Sequence, residues 1–390
     1  MIALLFIYVT YLLSCKFRSS AELEHDTPLI KYHGLPVRLV LHMRDRSSCK
    51  RNTGNSEEIH IVYNLRGKKM NEKFFIEING SKQGMFLQSE NTENPVLLYL
   101  HGGAGSPEIA FAEKYPTGLE KLFTVCWWEQ RGSGISYNRK IAPKEMTLEQ
   151  MVSDTIEVTH YLRNRFGKEK IYIMGHSWGS LLGVIVVKHQ PEFFHAYIGI
   201  GQVAQQERSE RLAYTYMLEK FCKSNDKKMI RQLKKFPIET GGDISLKYLA
   251  GVRSEGMNKL GIGVMRSMPS MLDFVAIVLR YKGYTLGEKF KFQQGSSFPL
   301  KCLCDCMIQM DLIEQVPCLQ VPVYIFQGRH DYQASYVVAK DFATALKAPI
   351  KGFYTFENSA HSPCYEEAEK MCNILRVDVL QNQVSLSDKI

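Results

Sequence analysis

A mostly parallel β-sheet with helices on both faces, interrupted by one helical insertion, is the fold class the sequence predicts. Two observations predict it. Short apolar runs of strand length alternate with segments of helical spacing, the pattern of a parallel sheet covered on both sides. The alternation lapses between about residues 202 and 316 and then resumes, so one interrupted sheet domain explains the chain more simply than three domains.

The elements follow in order. Residues 73–78 (KFFIEI) read as a strand, Asn79-Gly80 as a hairpin turn, and residues 83–88 as the returning strand. Residues 95–100 (PVLLYL) and 123–128 (FTVCWW) are two further buried runs. From Met146 to Phe166 the spacing is helical, with Met151, Ile156, Val158, Tyr161 and Leu162 able to share a face. Thr147 is the expected N-cap of this helix and Gly167 its terminator. Residues 170–174 predict a strand, 181–188 a helix, and 196–200 another strand. The insertion holds helical, Lys- and Met-rich stretches such as 207–236 and 270–281. The alternation returns with a strand at 321–326, a helix at 335–346, a strand at 352–356 and a last helix over 364–380. The resulting organisation is an apolar segment (1–20), a polar tether (21–70), a sheet core (71–201 with 317–390) and a helical cap (202–316).

Composition excludes little. The chain has 390 residues, 45% hydrophobic and 23% charged, with a net charge of +9. Lys and Arg are spread along the whole chain with no aromatic-interleaved basic motif, so no nucleic-acid partner is expected. Residues 1–14 carry no charged side chain. Leu12-Leu13-Ser14-Cys15 resembles a lipobox, although no basic leader precedes it, and Lys16 and Arg18 follow. Membrane association through residues 1–15 is the expectation, with a cytoplasmic location as the other. Ten cysteines show no repeating disulfide spacing. Cys302, Cys304 and Cys306 form C-x-C-x-C, but zinc needs a wider C-x₂₋₄-C pair and further ligands, so free thiols are expected and no metal.

The chemistry is carried by residues 175–179 (GHSWG). This is G-x-S-x-G, with a strand feeding in and an apolar helix following. That context is the nucleophile elbow, in which a tight turn lifts the Ser177 hydroxyl above the sheet edge. A serine hydroxyl is a weak nucleophile and needs a base and an orienting acid. On the α/β-hydrolase fold these follow in the chain order Ser, acid, His. After residue 331 only one histidine remains, His361, just past the last expected strand. Asp331 follows the strand before it and is the expected acid. Asp341 and Glu357 compete less well, one within a helix pattern and the other close to a strand end. The oxyanion hole requires two backbone N–H donors, assigned to Trp178 and to Gly103 in the glycine-rich loop 101–105 (HGGAG). A phosphate-binding loop would need a Gly-Lys-Ser/Thr ending, which is absent from this loop.

The series HGGAG (101–105), EQRGSG (129–134), GHSWGS (175–180), GRHD (328–331) and Ala360-His361-Ser362 resembles that of the proline iminopeptidases and their close α/β-hydrolase relatives. It departs in having Ala104 in place of the usual proline and Glu129 in place of aspartate. The resemblance implies an α/β-hydrolase fold with a helical cap and the release of an N-terminal residue, proline above all, from short peptides without a cofactor. It also implies a carboxylate for the substrate amine near the cap entry. Glu210 falls close to that place, with Glu207 one helical turn before it; a solvated helix face is the other reading of both. An ester or lipid hydrolase using the same residues is the alternative function, and a non-catalytic binding module is a third.

Overall fold

The computed structural model describes residues 67–389 apart from 239–240 and 268–270, together with the backbone of residues 31–32 and 35–36. The chain divides into two units, Met1–Asn64 and Leu65–Ile390. In the first, Lys31–Tyr32 and Leu35–Pro36 pair antiparallel. The apolar segment 1–20, with Cys15, lies outside the described residues, as does most of the polar stretch 21–70. Among the described residues no helix is long and apolar enough to cross a membrane.

The second unit is built on an eight-stranded sheet. Its strands are β1 (Met70–Ile78), β2 (Ser81–Ser89), β3 (Val96–Leu100), β4 (Thr124–Trp128), β5 (Ile171–His176), β6 (Phe194–Ile200), β7 (Val323–Gly328) and β8 (Lys351–Phe356). The spatial order is β8-β7-β6-β5-β3-β4-β2-β1. Six strands run parallel, and the β1–β2 hairpin joins antiparallel through β2 and β4. Asn79 and Gly80 both take positive φ, 45° and 71°, as a two-residue hairpin turn requires.

Side chains of the central strands still alternate although both faces are buried. Leu98, Leu100, Ile173, Val323 and Ile325 join one apolar cluster, whereas Leu97, Tyr99, Met174, Ile198, Tyr324 and Phe326 join the other. Period 2 along each strand therefore fills two separate layers.

Around the sheet lie α1 (Ile109–Lys114), α2 (Leu148–Phe166) and α3 (Trp178–His189). Thr147 accepts a hydrogen bond from the Gln150 N–H, and Gly167 ends α2 in the left-handed region. Between β6 and β7 come α4 (Gln206–Lys223), α5 (Lys227–Leu233), α6 (Met271–Arg280) and α7 (Leu286–Gln309), with shorter helical turns. α4, α5 and the shorter turns after them form a small apolar cluster of their own around Tyr214, Met217, Phe221, Met229 and Tyr248, whereas α6 and α7 pack on the sheet clusters through Ile277, Val278, Phe292 and Leu303. The stretch expected as helical over 207–236 breaks at Asn225, whose φ is 55°, and restarts on Asp226, which accepts from the Met229 N–H. The long α7 is capped by a reciprocal pair, Thr285 and Glu288. Cys302, Cys304 and Cys306 all lie on α7 as free thiols. Among the described residues no group of three or more His, Cys, Asp or Glu is placed to hold a metal ion.

After β7 come α8 (Tyr336–Ala345), β8 and α9 (Ala368–Ile374). The continuous helix expected over 364–380 is broken at Glu367, whose φ and ψ of −134° and 49° are not helical. Its carboxylate instead accepts from the Asn358 N–H and the Ser359 hydroxyl. Glu366 accepts from the Ala360 N–H at 2.8 Å. The break thus lets two carboxylates hold the loop that carries His361.

Candidate active site

Ser177 stands between β5 and α3 with φ 55° and ψ −120°. A non-glycine residue held in this sparsely populated region is strained, and such strain persists only where the surroundings impose it. The flanking glycines explain how. A Cβ on Gly175 would collide with the Gly179 carbonyl, and one on Gly179 with the Leu100 carbonyl. Both glycines are therefore required by backbone crossing backbone at the turn.

Asp331 and His361 arrive from the ends of β7 and β8. The carboxylate of Asp331 is fully engaged. Oδ1 accepts from the N–H groups of Gln333 and Ala334, at 2.8 and 2.9 Å. Oδ2 accepts from Gln327 Nε2 at 2.7 Å and from His361 Nδ1 at 2.8 Å. The imidazole thus carries its proton on Nδ1. His361 Nε2 is buried with no hydrogen-bond partner among the described residues, a lone pair free to take a proton. Gly201 lies close beneath the ring, and a Cβ there would meet His361 Cε1 at 2.7 Å. The rival acids are occupied elsewhere, Glu357 by Arg329 and Asp341 by Arg208.

Ser177 and His361 line one cavity of about 160 Å³ with Gly102, Gly103, Phe111, Val264, Met265 and Phe274. Gly103 has φ 118° and follows Gly102, where a Cβ would sit 3.1 Å from that of Ser177. The glycine-rich loop thus passes directly over the serine. Trp178 is the first residue of α3, and its indole Nε1 donates to Gln130 Oε1 at 3.0 Å.

The cap-entry glutamates are placed otherwise than expected. Glu207 is exposed and pairs with Arg211 one turn along α4. Glu210 is buried, 1% exposed, yet it does not line the cavity. Its two oxygens accept from Arg253 Nε at 2.8 Å and Nη2 at 2.6 Å. The two glutamates do not share a face, because α4 buries Gln206, Ser209, Glu210 and Ala213, leaving Glu207 just outside that stripe.

The Glu-Gln-Arg-Gly stretch has structural work that sequence reasoning did not assign. Gln130 donates through Nε2 to the His101 carbonyl, and its N–H donates to His101 Nε2. It therefore joins the glycine-rich loop to Trp178. Arg131 pairs with Asp154 on α2 and donates to the carbonyls of Ile78 and Asn79. Glu129 accepts from the Tyr284 hydroxyl, ahead of α7, and from the Ile135 N–H at 2.6 Å. Burial pushes the Glu129 carboxyl up to about 7 against these donors. The unfolded chain releases this proton near the ordinary value of 4.5, whereas the folded protein holds it to about 7. Stability is therefore lost as pH rises from about 4.5 to about 7 and is flat above. Glu129→Gln is expected to remove this slope in urea-midpoint measurements; parallel pH profiles for the two proteins would refute it.

A further carboxylate, Glu108, reaches the cavity from the residue preceding α1. It contacts His176 Nδ1 and accepts from the Gly102 N–H and the hydroxyls of Tyr99 and Tyr365. The sequence signal for it was slight, a single acidic residue in a loop of small residues and proline.

Comparison with known proteins agrees with this architecture. A profile of the alpha/beta hydrolase fold matches residues 95–368. A probable aminopeptidase, YbaC of Bacillus subtilis, is 32% identical over 300 residues, covering 77% of this chain and 93% of its own. A proline iminopeptidase of Saccharolobus solfataricus is 24% identical over 293 residues, 73% of this chain and 84% of its own. Among solved structures, the proline iminopeptidase of Mycobacterium smegmatis superposes with a TM-score of 0.52 at 17% identity, covering 80% of this chain and 98% of its own.

Proposed function

The chain belongs to the alpha/beta hydrolase fold family, and from that membership we propose that it is a serine hydrolase acting as an aminopeptidase, releasing an N-terminal residue such as proline from short peptides. The observation that carries this reading is the pairing of Asp331 with His361 Nδ1, with His361 and a strained Ser177 lining one small cavity. Relatives described as a probable aminopeptidase and as proline iminopeptidases support the substrate class.

In this scheme Ser177 Oγ attacks the substrate carbonyl and His361 Nε2 takes its proton. The Asp331 carboxylate balances the imidazolium. The N–H groups of Gly103 and Trp178 hold the oxyanion. His361 then returns the proton to the leaving amine, and water, activated by the same imidazole, releases the acyl group. The scheme uses neither metal nor organic cofactor.

A panel of aminoacyl-naphthylamides and p-nitrophenyl esters tests the substrate class, with a fluorophosphonate label to report Ser177. Turnover of prolyl-naphthylamide with a free amine, and not of its N-blocked form, is the expected result. Turnover of esters alone would favour an ester hydrolase, a reading to which the apolar wall of Phe111, Val264, Met265 and Phe274 also lends itself. Glu210→Gln serves as the control. Because it leaves the half-buried Arg253 without its charge partner, it is expected to destabilise the fold by about 3 kcal/mol while leaving KM for prolyl-naphthylamide unchanged. A KM increase confined to free amines would make Glu210 the amine reader after all.

A further inference from the structure

His176, the residue before Ser177, is placed unusually for a buried histidine. It is 5% exposed, and both ring nitrogens face acceptors. Nδ1 lies 2.9 Å from Glu108 Oε1 and 3.0 Å from Oε2. Nε2 lies 3.0 Å from the main-chain carbonyl oxygen of His361. Among the described residues the only other polar neighbour of Nε2 is the Ser362 hydroxyl, at 3.5 Å. A carbonyl oxygen has no proton to give, so Nε2 must carry one. The carboxylate of Glu108 is already surrounded by donors: the Gly102 N–H at 2.9 Å, Tyr99 at 2.8 Å and Tyr365 at 2.7 Å. Three such donors favour its ionised form, which leaves Nδ1 as the fourth donor to it.

A neutral imidazole has one donor and one acceptor nitrogen; only the imidazolium has two donors. We propose that Glu108 and His176 form a permanent carboxylate–imidazolium pair that positions the two sides of the catalytic site, tying the oxyanion loop through Gly102 and the general base through the His361 carbonyl. This rests on the serine-hydrolase reading above. The pair sits where four segments meet: the glycine-rich loop, the turn into Ser177, the His361 loop and Tyr365. The rings of His176 and His361 lie 5.0 Å apart, tilted by 36°. The groups of ionisable type facing the pair are Tyr99, Tyr365, Cys364, His101 and, beyond His361, Asp331. The first three are held in their neutral forms by burial. Burial likewise keeps His101 neutral, its value lowered to about 4. Glu108 is thus the counter-ion in direct contact with His176.

The pair acts on geometry rather than on the substrate. Loss of the Nε2–H bond frees the His361 main chain, and loss of the Gly102 bond loosens the loop that carries Gly103. A displacement on the order of 1 Å at such positions costs about 10²-fold in rate.

Two measurements test it. The first is ¹⁵N NMR of the intact protein labelled at histidine, with His176 assigned by its disappearance in His176→Phe. At pH 8 both His176 nitrogens are expected to show protonated-type shifts. A single-proton, neutral signal at that pH overturns the proposal. If His176→Phe does not fold, Glu108→Gln gives the assignment, because it should convert the same signal to a neutral tautomer. The second is the rate at which a fluorophosphonate labels Ser177, which is expected to fall about 10²-fold in folded His176→Phe. Labelling at the wild-type rate removes the positioning role. Failure of the wild-type protein to label at all would instead overturn the serine-hydrolase reading, and the positioning role with it, while the NMR result still decides the charge state.

Discussion

Ser177→Ala is expected to lower kcat by about 10⁴-fold or more, and His361→Ala to do the same. The reason lies in how the proton moves. Ser177 is a weak nucleophile until His361 Nε2 accepts its proton, and His361 has no other function in the scheme than to hold and return it. The double variant is therefore expected to be no slower than either single one, because residues that act as a unit are not additive. Asp331→Asn should be less harmful than either. An amide at that position still accepts from Gln333 and Ala334, but it no longer balances an imidazolium and can turn the ring to the wrong tautomer. Steady-state kinetics on prolyl-naphthylamide give the comparison. Ser177→Ala is expected to leave the structure unchanged, whereas His361→Ala also removes the Nδ1 bond to the buried Asp331 carboxylate, so its folding is checked alongside its kinetics. Substantial activity in Ser177→Ala would end the proposed mechanism whatever the substrate class.

Much of the fold was legible because its signals are local. The Asn79-Gly80 turn, the Thr147 cap and the Gly167 terminator each depend on one or two residues, and each adopts the expected backbone or bond. The fully buried strands also read correctly, since continuous apolar runs of five or six residues have few other uses. What escaped was set by tertiary contact. The last helix is broken because Glu366 and Glu367 hold the His361 loop, which no periodicity in 364–380 announces. The sequence does not announce the long α7 as one helix, since Gly287, Gly295 and Pro299 stand within it. Gly295 is explained only by its neighbour: a Cβ there would lie 2.5 Å from the Gly134 nitrogen. The helix and the loop after Glu129 must approach each other as bare backbone.

The site divides along the same line. Ser177 follows from its G-x-S-x-G turn, and Asp331 and His361 from chain order, and the fold brings them to one end of the parallel strands, where crevices of such sheets open. Glu210 was chosen by position alone, and position does not reveal that Arg253, forty-three residues later in sequence, takes its carboxylate. Glu108 shows the converse. Its loop gave no period and no spacing to read, yet four groups converge on it once the sheet has formed.

Asp154→Ala is expected to produce the largest loss of stability outside the core. Asp154 lies on the buried side of α2, 0% exposed, and gathers the ends of several side chains. Its Oδ2 accepts from Arg131 Nε at 2.7 Å and from Gln83 Nε2 at 2.7 Å. Its Oδ1 accepts from Arg131 Nη2 at 2.9 Å, Asn79 at 2.9 Å and Gln150 at 2.7 Å. Arg131 is itself only 3% exposed. Removing the carboxylate leaves a buried guanidinium without a counter-charge, which costs about 3–5 kcal/mol. That is a large part of the roughly 5–15 kcal/mol by which domains are stable. The damage should be local in origin, because the same carboxylate joins α2 to the β1–β2 hairpin and to the Gln130–Arg131 turn beside the glycine-rich loop. Asp154→Asn keeps the shape and part of the hydrogen bonding, and should cost less. The double variant Asp154→Leu with Arg131→Met removes both charges and should recover part of the loss, since an apolar pair in place of a buried ion pair is often tolerated. Guanidinium midpoints for the three proteins give the series. A loss below about 1 kcal/mol in Asp154→Ala, the value of an exposed pair, would show that water reaches Arg131 and that the network is not the closed cluster its distances describe.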